Sequence, residues 1–446
     1  MPEILHTTLA FIVAIATLIA VHEYGHFIVA RKLGVKVEKF SIGFGPALFS
    51  WRSRDREVLY VIAAIPLGGY VKMLGEQGDE ATIETSERHR AFSAQPVWVR
   101  ASIAAAGPLF NIAFALLAYM CIAWIGQTVV PPVVGAVYPA SPARMAGIEP
   151  GDRIVSVAGD EVHSWRQLEA ALKRGVGQRV ELSIERDGLR IPVTVHVPPS
   201  SIDPLLIDVT DELVGVTPDV ELVIDSVLPG RPAARAGIEA GDVVREVDGL
   251  PVNSAARFIR LIRQHKGKPV AIGLLRGDTM LRLSVLPGTD EHGQAKIGVR
   301  LTTRAHYTPE TYRMGPFEGM AYGISRTVEM SVLTLEVIGK MLSASISAQN
   351  LGGPIAIAQL AGKTAELGLV SFLSFLALIS VNLAVLNLLP VPVLDGGHLL
   401  YLAIEKVRGK PLSPRIMEWT QAVGVLMIAA LMVFAFYNDL ARLFKG

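Results

Sequence analysis

Residues 4–26 read ILHTTLAFIVAIATLIAVHEYGH, an apolar run that ends in His22-Glu23-Tyr24-Gly25-His26. Roughly 20 apolar residues suffice to cross a bilayer. Positions 4–21 therefore predict a membrane-spanning helix that continues through the motif. Histidines at i and i+4 lie on one face of a helix, one turn apart. At that spacing His22 and His26 can both reach one Zn²⁺ at about 2.0–2.1 Å. Glu23, between them, is placed to take a proton from the attacking water. A structural trio of hydrogen-bonded polar residues is the competing explanation. Ionisable groups in a membrane segment are costly and usually functional, which favours the metal.

The composition is that of a membrane protein: of 446 residues, 51% are hydrophobic and 19% charged. The formal net charge of +1 carries no footprint of nucleic-acid binding. Cys121 is the one cysteine, so no intramolecular disulfide can form. Three more segments are long and apolar enough to span: 101–126, 367–394 and 419–438. The first segment is not expected to be a cleaved signal peptide. It lacks a basic n-region and a small-x-small site leading into a soluble domain.

Lysine and arginine set the orientation. None precedes the first span, whereas Arg31, Lys32, Lys36, Lys39, Arg52, Arg54 and Arg56 follow it. Lys406, Arg408, Lys410 and Arg415 lie between spans three and four. Those loops are expected in the cytoplasm. Both termini and the long segment between spans two and three are expected outside.

That outer segment repeats itself. Ala146-Gly147-Ile148-Glu149-Pro150-Gly151-Asp152 recurs as Ala236-Gly237-Ile238-Glu239-Ala240-Gly241-Asp242, a shift of 90 residues without gaps. The register holds through Val157, Gly159 and Val162 against Val247, Gly249 and Val252. A long period seen twice means two copies of a domain, not a solenoid. Each copy reads as strand, short helix, Gly-Asp turn, strand, helix and a two-stranded hairpin. The pattern resembles PDZ domains of the bacterial, circularly permuted type, in which the carboxylate-binding strand comes last. Leu213-Val214-Gly215-Val216 and Lys296-Ile297-Gly298-Val299 fit that slot, with Gly215 and Gly298 in the grooves. Capture of an extended peptide by strand addition is one expectation. A shield that binds nothing tightly is the other.

After the repeat, Glu318, Arg326, Glu329, Glu336 and Lys340 fall at helical spacing with apolar residues between. An amphipathic helix on the outer membrane surface is expected, a fifth span being the alternative. Residues 350–354, Asn-Leu-Gly-Gly-Pro, should break it.

Zinc needs a third protein ligand and an open position. Span three runs inward and reaches the depth of the histidines at 387–398, NLLPVPVLDGGH. Two prolines interrupt it, and irregular backbone at membrane depth is tolerated only inside protein or beside a water-filled cavity. Asp395 follows directly and is the best third ligand, with His398 its competitor. Asn382 and Asn387 either hold substrate in the site or bond neighbouring helices. Asn387 is the better site candidate, being nearest the broken backbone.

A peptide bond inside a membrane helix must be unwound before hydrolysis, and its freed backbone groups need new partners. A strand edge beside the metal would supply them. Residues 40–46 and 58–70 are Gly-rich, apolar and β-like. They predict a β element dipping into the membrane rather than an ordinary cytoplasmic hairpin.

His-Glu-x-x-His in span one, Leu394-Asp395-Gly396 after span three and a PDZ pair between them resemble the site-2 metalloproteases. The likeness extends to 41–45, 66–73, 106–108, 364–368 and 382–398. The resemblance implies Zn²⁺ held by His22, His26 and Asp395, with Glu23 as base, and so Asp395 over His398. It implies a membrane-associated β element in which Gly43, Gly45, Gly68, Gly69 and Tyr70 handle substrate. It also implies a bacterial inner-membrane setting with periplasmic PDZ domains and an active site near the cytoplasmic side. The implied partners are single-span membrane proteins: a trimmed anti-sigma factor, with leftover signal peptides as a second class. The expected fold is a multi-pass α-helical membrane protein with four spans, carrying two tandem PDZ domains. Its parts are a membrane domain at 1–126, PDZ domains at 127–218 and 219–304, the amphipathic helix and linker at 305–366, and a second membrane domain at 367–446. A membrane-anchored PDZ scaffold with a vestigial metal site is opposed by the intact His22, Glu23, His26 and Asp395. A metal transporter is opposed by spans two and four, which have almost no polar residues.

Overall fold

The computed structural model describes residues 2–76, 83–202, 207–289, 293–343 and 352–445. The chain forms two compact units, Met1–Gln127 with Arg313–Gly446, and Thr128–Tyr312.

The elements of the first unit are, in order, α1 (Pro2–Lys32), β1 (Val37–Arg52), β2 (Leu59–Met73), α2 (Val97–Ile125), α3 (Pro316–Leu342), α4 (Pro354–Glu366), α5 (Leu369–Leu388), α6 (Asp395–Arg408) and α7 (Pro414–Lys445). Among the described residues, four helices are long and apolar enough to cross a membrane: Ile4–Lys32, Val97–Ile125, Leu369–Leu388 and Arg415–Ala441. Small side chains mediate their packing, as expected where no hydrophobic difference drives helices together. Ala10, Ala14 and Leu18 of α1 meet Ala361 of α4 and Phe375 and Leu376 of α5. Asp439 of α7 caps α4, accepting from the backbone N–H groups of Gly353 and Ile355 at 2.9 Å and Ala356 at 3.2 Å.

Helix α3 is the helix expected on the outer membrane surface. It packs alongside two spans, its Met330 buried with Ala115 and Tyr119 of α2 and Ala377 and Val381 of α5. Gly319 faces Trp124 and Gly323 faces Met120, so α3 runs antiparallel to α2. The charges at Glu318, Arg326 and Glu329 made the helix look interfacial, but its glycines and small polar residues let it lie against the bundle. Of the expected break at 350–354, residues 350 and 351 lie outside the described ones.

Strands β1 and β2 form an antiparallel hairpin with irregular register. Val37 lies opposite Met73 and Ile42 opposite Gly69, while Phe40 and Ile42 also neighbour Tyr60 and Ile62. Segment 69–73 is thereby left at one edge of the sheet. Helix α5 stops at Leu388 because Pro390 and Pro392 cannot extend it. Residues 389–394 are non-helical until α6 starts at Asp395.

The second unit holds two modules of the same element order. Strands Arg153–Val157 and Val243–Val247, and helices Trp165–Arg174 and Ala255–Gln264, keep the sequence repeat. Each module has its own core, built around Ile154, Leu168 and Ile184 in one and Ile224, Phe258 and Ile272 in the other. The repeated Asp is explained by a repeated ion pair. Arg186 Nε donates to Asp152 Oδ1 at 2.6 Å, and Arg276 Nε to Asp242 Oδ1 at 2.7 Å. Both carboxylates also accept from a backbone N–H, of Glu149 and Glu239.

The expected groove strands begin later than read. Leu213 and Val214 belong to a helical turn, 210–214, and the strand is Val216–Pro218. Asp208 Oδ1 starts that turn by accepting from the N–H groups of Thr210 and Asp211. In the second module the long strand starts at Val299, after Gly298.

Candidate active site

Three elements carry the chemistry to one place. His22 and His26 project from α1, and Asp395 opens α6. Their Nε2 atoms lie 3.2 Å apart, with Asp395 Oδ2 3.2 Å from His22 Nε2 and Asp395 Oδ1 3.5 Å from His26 Nε2. The three side chains are 11, 12 and 19% exposed, sheltered yet reachable.

The outer ring atoms decide what these groups are. His26 Nδ1 lies 2.8 Å from the Ile103 carbonyl oxygen, which can only accept. Nδ1 therefore holds the proton, and Nε2 faces the cluster as a lone pair. His22 Nδ1 lies 3.3 Å from the amide of Asn111, a fully buried residue whose Oδ1 has no partner. Turning that amide so that Oδ1 accepts from Nδ1–H satisfies both groups at once. Asp395 Oδ2, also buried, has no hydrogen-bond donor. With each ring proton on Nδ1, two Nε2 atoms and a carboxylate converge as three Lewis bases, an arrangement that a cation stabilises. Two imidazoles and a carboxylate suit Zn²⁺.

Close packing makes room for this. A Cβ on Gly107 of α2 would overlap His26 Nε2 and lie 2.7 and 2.8 Å from His22 Cε1 and Nε2. A Cβ on Gly69 of β2 would come within 2.8 Å of Glu23 Cγ. The edge segment of β2 therefore lies directly against Glu23.

The cluster borders a cavity of about 510 Å³ lined by His22, Glu23, His26, Gly69, Tyr70, Asn387, Asp395 and His398, among others. Asn387 Nδ2 lies 3.5 Å from His22 Nε2. His398 shares the cavity but is outside the group of His22, His26 and Asp395 that could hold a metal ion. Asn382 is elsewhere: it accepts from Thr334 Oγ1 of α3 at 2.7 Å, the helix-bonding alternative. Gly43, Gly45 and Gly68 do not line the cavity. Gly43 and Gly45 pack near Ile65, and Gly68 against the Phe44 ring. In the second unit, Gly298 lines a groove of about 480 Å³ with Leu228, Phe258, Ile259 and Leu301. Gly215 packs against Ser141.

Sequence reasoning gave no site role to Ile103, Gly107 or Asn111, although Gly107 lies within the stretch 106–108 that carries the family likeness. Ile103 acts through its carbonyl, which no side chain announces. Asn111 did leave a signal, as a polar residue within span two, four residues after Gly107.

The sequence profile of Peptidase family M50 matches residues 10–431. The chain belongs to Peptidase family M50. As an M50 peptidase it is a zinc metalloprotease. It is 40% identical over 455 residues to Regulator of sigma-E protease RseP of Salmonella typhimurium (strain 14028s / SGSC 2262), covering 99% of this chain and 100% of that one. Regulator of sigma-E protease RseP of Escherichia coli (strain K12) is 41% identical over 446 residues, 97% and 98% of the two chains. A putative zinc metalloprotease of Vibrio cholerae is 37% identical over 459 residues, covering 99% and 100%. Among solved structures, the PDZ domain of an SdrC-like protein from Listeria monocytogenes is 32% identical, covers 19% of this chain and 90% of its own, and gives a TM-score of 0.18.

Proposed function

We propose that this M50 peptidase hydrolyses peptide bonds within the transmembrane segments of single-span proteins, using His22, His26 and Asp395 to hold zinc and Glu23 as general base. The observation that carries this reading is the union, in one cavity of a membrane-spanning unit, of a three-ligand cluster, an adjacent carboxylate and a strand edge. Zinc, when bound there, supplies a Lewis acid that activates water and polarises the scissile carbonyl.

The chain's own residues do the rest. Glu23 takes the proton of the attacking water at its carboxylate and passes it to the departing amine. Ile103 and Asn111 hold the imidazoles in the tautomer that leaves both Nε2 atoms free. Segment 69–73 receives the unwound substrate as an added strand, satisfying backbone groups that lipid cannot. Asn387 points its amide to the same space. The apolar residues Phe44, Leu48, Phe49 and Trp51 are exposed on the hairpin, which suits a β element that enters the membrane.

The relatives' names tie them to sigma-E regulation, and by that likeness the substrate is a trimmed anti-sigma factor, with remnant signal peptides as a second class. The basic residues that follow the first span, and those at 406, 408, 410 and 415, favour an inner-membrane orientation with termini and PDZ modules outside. We read the modules as circularly permuted PDZ domains that filter or tether substrate. Glu23→Gln tests the centre of the proposal. Co-expressed with trimmed single-span proteins, it should keep its zinc and lose about 10²–10⁴ in cleavage rate. Full activity in that variant removes Glu23 from the mechanism.

A further inference from the structure

Arg100, Ile103, Gly107 and Asn111 fall at i, i+3, i+7 and i+11 along α2, on one helical face. The last three touch the histidines. Arg100 reaches a different element. Its two Nη atoms donate to the two carboxylate oxygens of Glu405 on α6, Nη1 to Oε2 at 3.2 Å, and its Nε donates to the Gln95 carbonyl at 3.0 Å. The two side chains are 16 and 17% exposed and both line the active-site cavity.

Helix α6 begins at Asp395, so whatever fixes α6 fixes the third ligand. The chain leading into it does not do so alone. Val393 has φ of +86°, where a β-branched residue is rarely found. Strain of that kind persists only where surrounding contacts over-determine it. One such contact is at the start of α6, where a Cβ on Gly397 would lie 2.9 Å from Pro392 Cα. Another, toward the far end of α6, is Glu405, ten residues further along, or about 15 Å of helix. A bidentate guanidinium–carboxylate pair fixes angle as well as distance, and a lysine cannot reproduce it.

We propose that Arg100 and Glu405 are a positioning pair that clamps α6 to α2 and so sets Asp395 in register with His22 and His26. The inference rests on those three residues being the zinc ligands. It assigns the pair to metal affinity, not to general stability.

The test measures zinc affinity of the full-length protein in detergent by competition with a chromophoric chelator. Arg100→Lys and Glu405→Gln should each weaken zinc binding about 10- to 100-fold, the usual effect of disturbing groups that orient ligands. Removing one member of a partly buried pair also leaves its partner's charge uncompensated, so the double variant Arg100→Gln with Glu405→Gln is needed. It should bind zinc as weakly as the single variants. In an Asp395→Ala background, Arg100→Lys should cause no further loss, because the pair acts through Asp395. Wild-type affinity in the single variants overturns the proposal. So does recovery of affinity in the double variant, or an undiminished Arg100→Lys effect without Asp395. If the unsubstituted protein itself binds zinc no better than Asp395→Ala, the ligand assignment fails instead.

Discussion

His26 Nδ1 stands 2.8 Å from the carbonyl oxygen of Ile103, on the neighbouring helix. That contact joins α1 to α2 and fixes the histidine's tautomer in the same step. It makes α2 the frame of the site, although none of the three converging side chains, His22, His26 and Asp395, comes from α2.

Gly107→Ala should break that frame. Alanine raises helix propensity by about 1 kcal/mol over glycine, so the helix itself should tolerate it. The added Cβ collides with both imidazoles. Bound zinc and cleavage should fall together while helix content stays level. Normal zinc stoichiometry in this variant would show that the rings can move aside.

Asp395 and His398 are separated by the same measurement. Asp395→Ala should lower bound zinc as well as activity, since its carboxylate oxygens lie 3.2 and 3.5 Å from the two Nε2 atoms. His398→Ala should leave zinc in place. The opposite pattern reverses the assignment.

The second module of the Thr128–Tyr312 unit should respond to acid through Asp242. Burial pushes its carboxyl up, but the Arg276 hydrogen bonds and the Glu239 N–H outweigh that and hold it below the usual carboxylate range. A carboxylate with a depressed folded pKa stabilises the fold above its unfolded pKa, and the effect is lost as pH falls through the folded value. Asp242→Asn should cost about 1–3 kcal/mol at neutral pH and flatten the acid response. Hydrogen exchange of residues 239–247, followed from neutral to acidic pH, reads it directly. An unchanged pH slope in the variant would exclude this carboxylate.

Filter and tether roles for the two modules make opposite predictions. If the pair excludes bulky substrates, replacing residues 133–301 by a linker should permit cleavage of untrimmed substrate, still dependent on Glu23. If it must grip the trimmed end, the same deletion abolishes cleavage. Substitutions at Gly215 or Gly298 that block cleavage of trimmed substrate in a well-folded protein would favour the tether. Cleavage assays on trimmed and untrimmed versions of one substrate decide between them.

What the amino-acid order determined by itself is local or periodic. Spans follow from continuous apolar length, the paired histidines from a spacing of four on a helix, and the two modules from a gapless 90-residue shift. The stop of α5 followed from two prolines. Tertiary structure decided whatever depends on which faces meet. Periodicity showed that α3 has an apolar side, but not that α2 and α5 cover it, because lipid and protein satisfy the same pattern. Asn382 and Asn387 are alike in sequence, five residues apart in one span. Only packing turns one toward Thr334 and the other toward His22. Asn111, Gly107 and the Ile103 carbonyl reach the site because α2 lies against α1, and Arg100 reaches Glu405 across 305 residues of chain. A backbone carbonyl, an absent Cβ and a long-range ion pair leave no spacing to read, since each acquires its role from the neighbour that the fold brings to it.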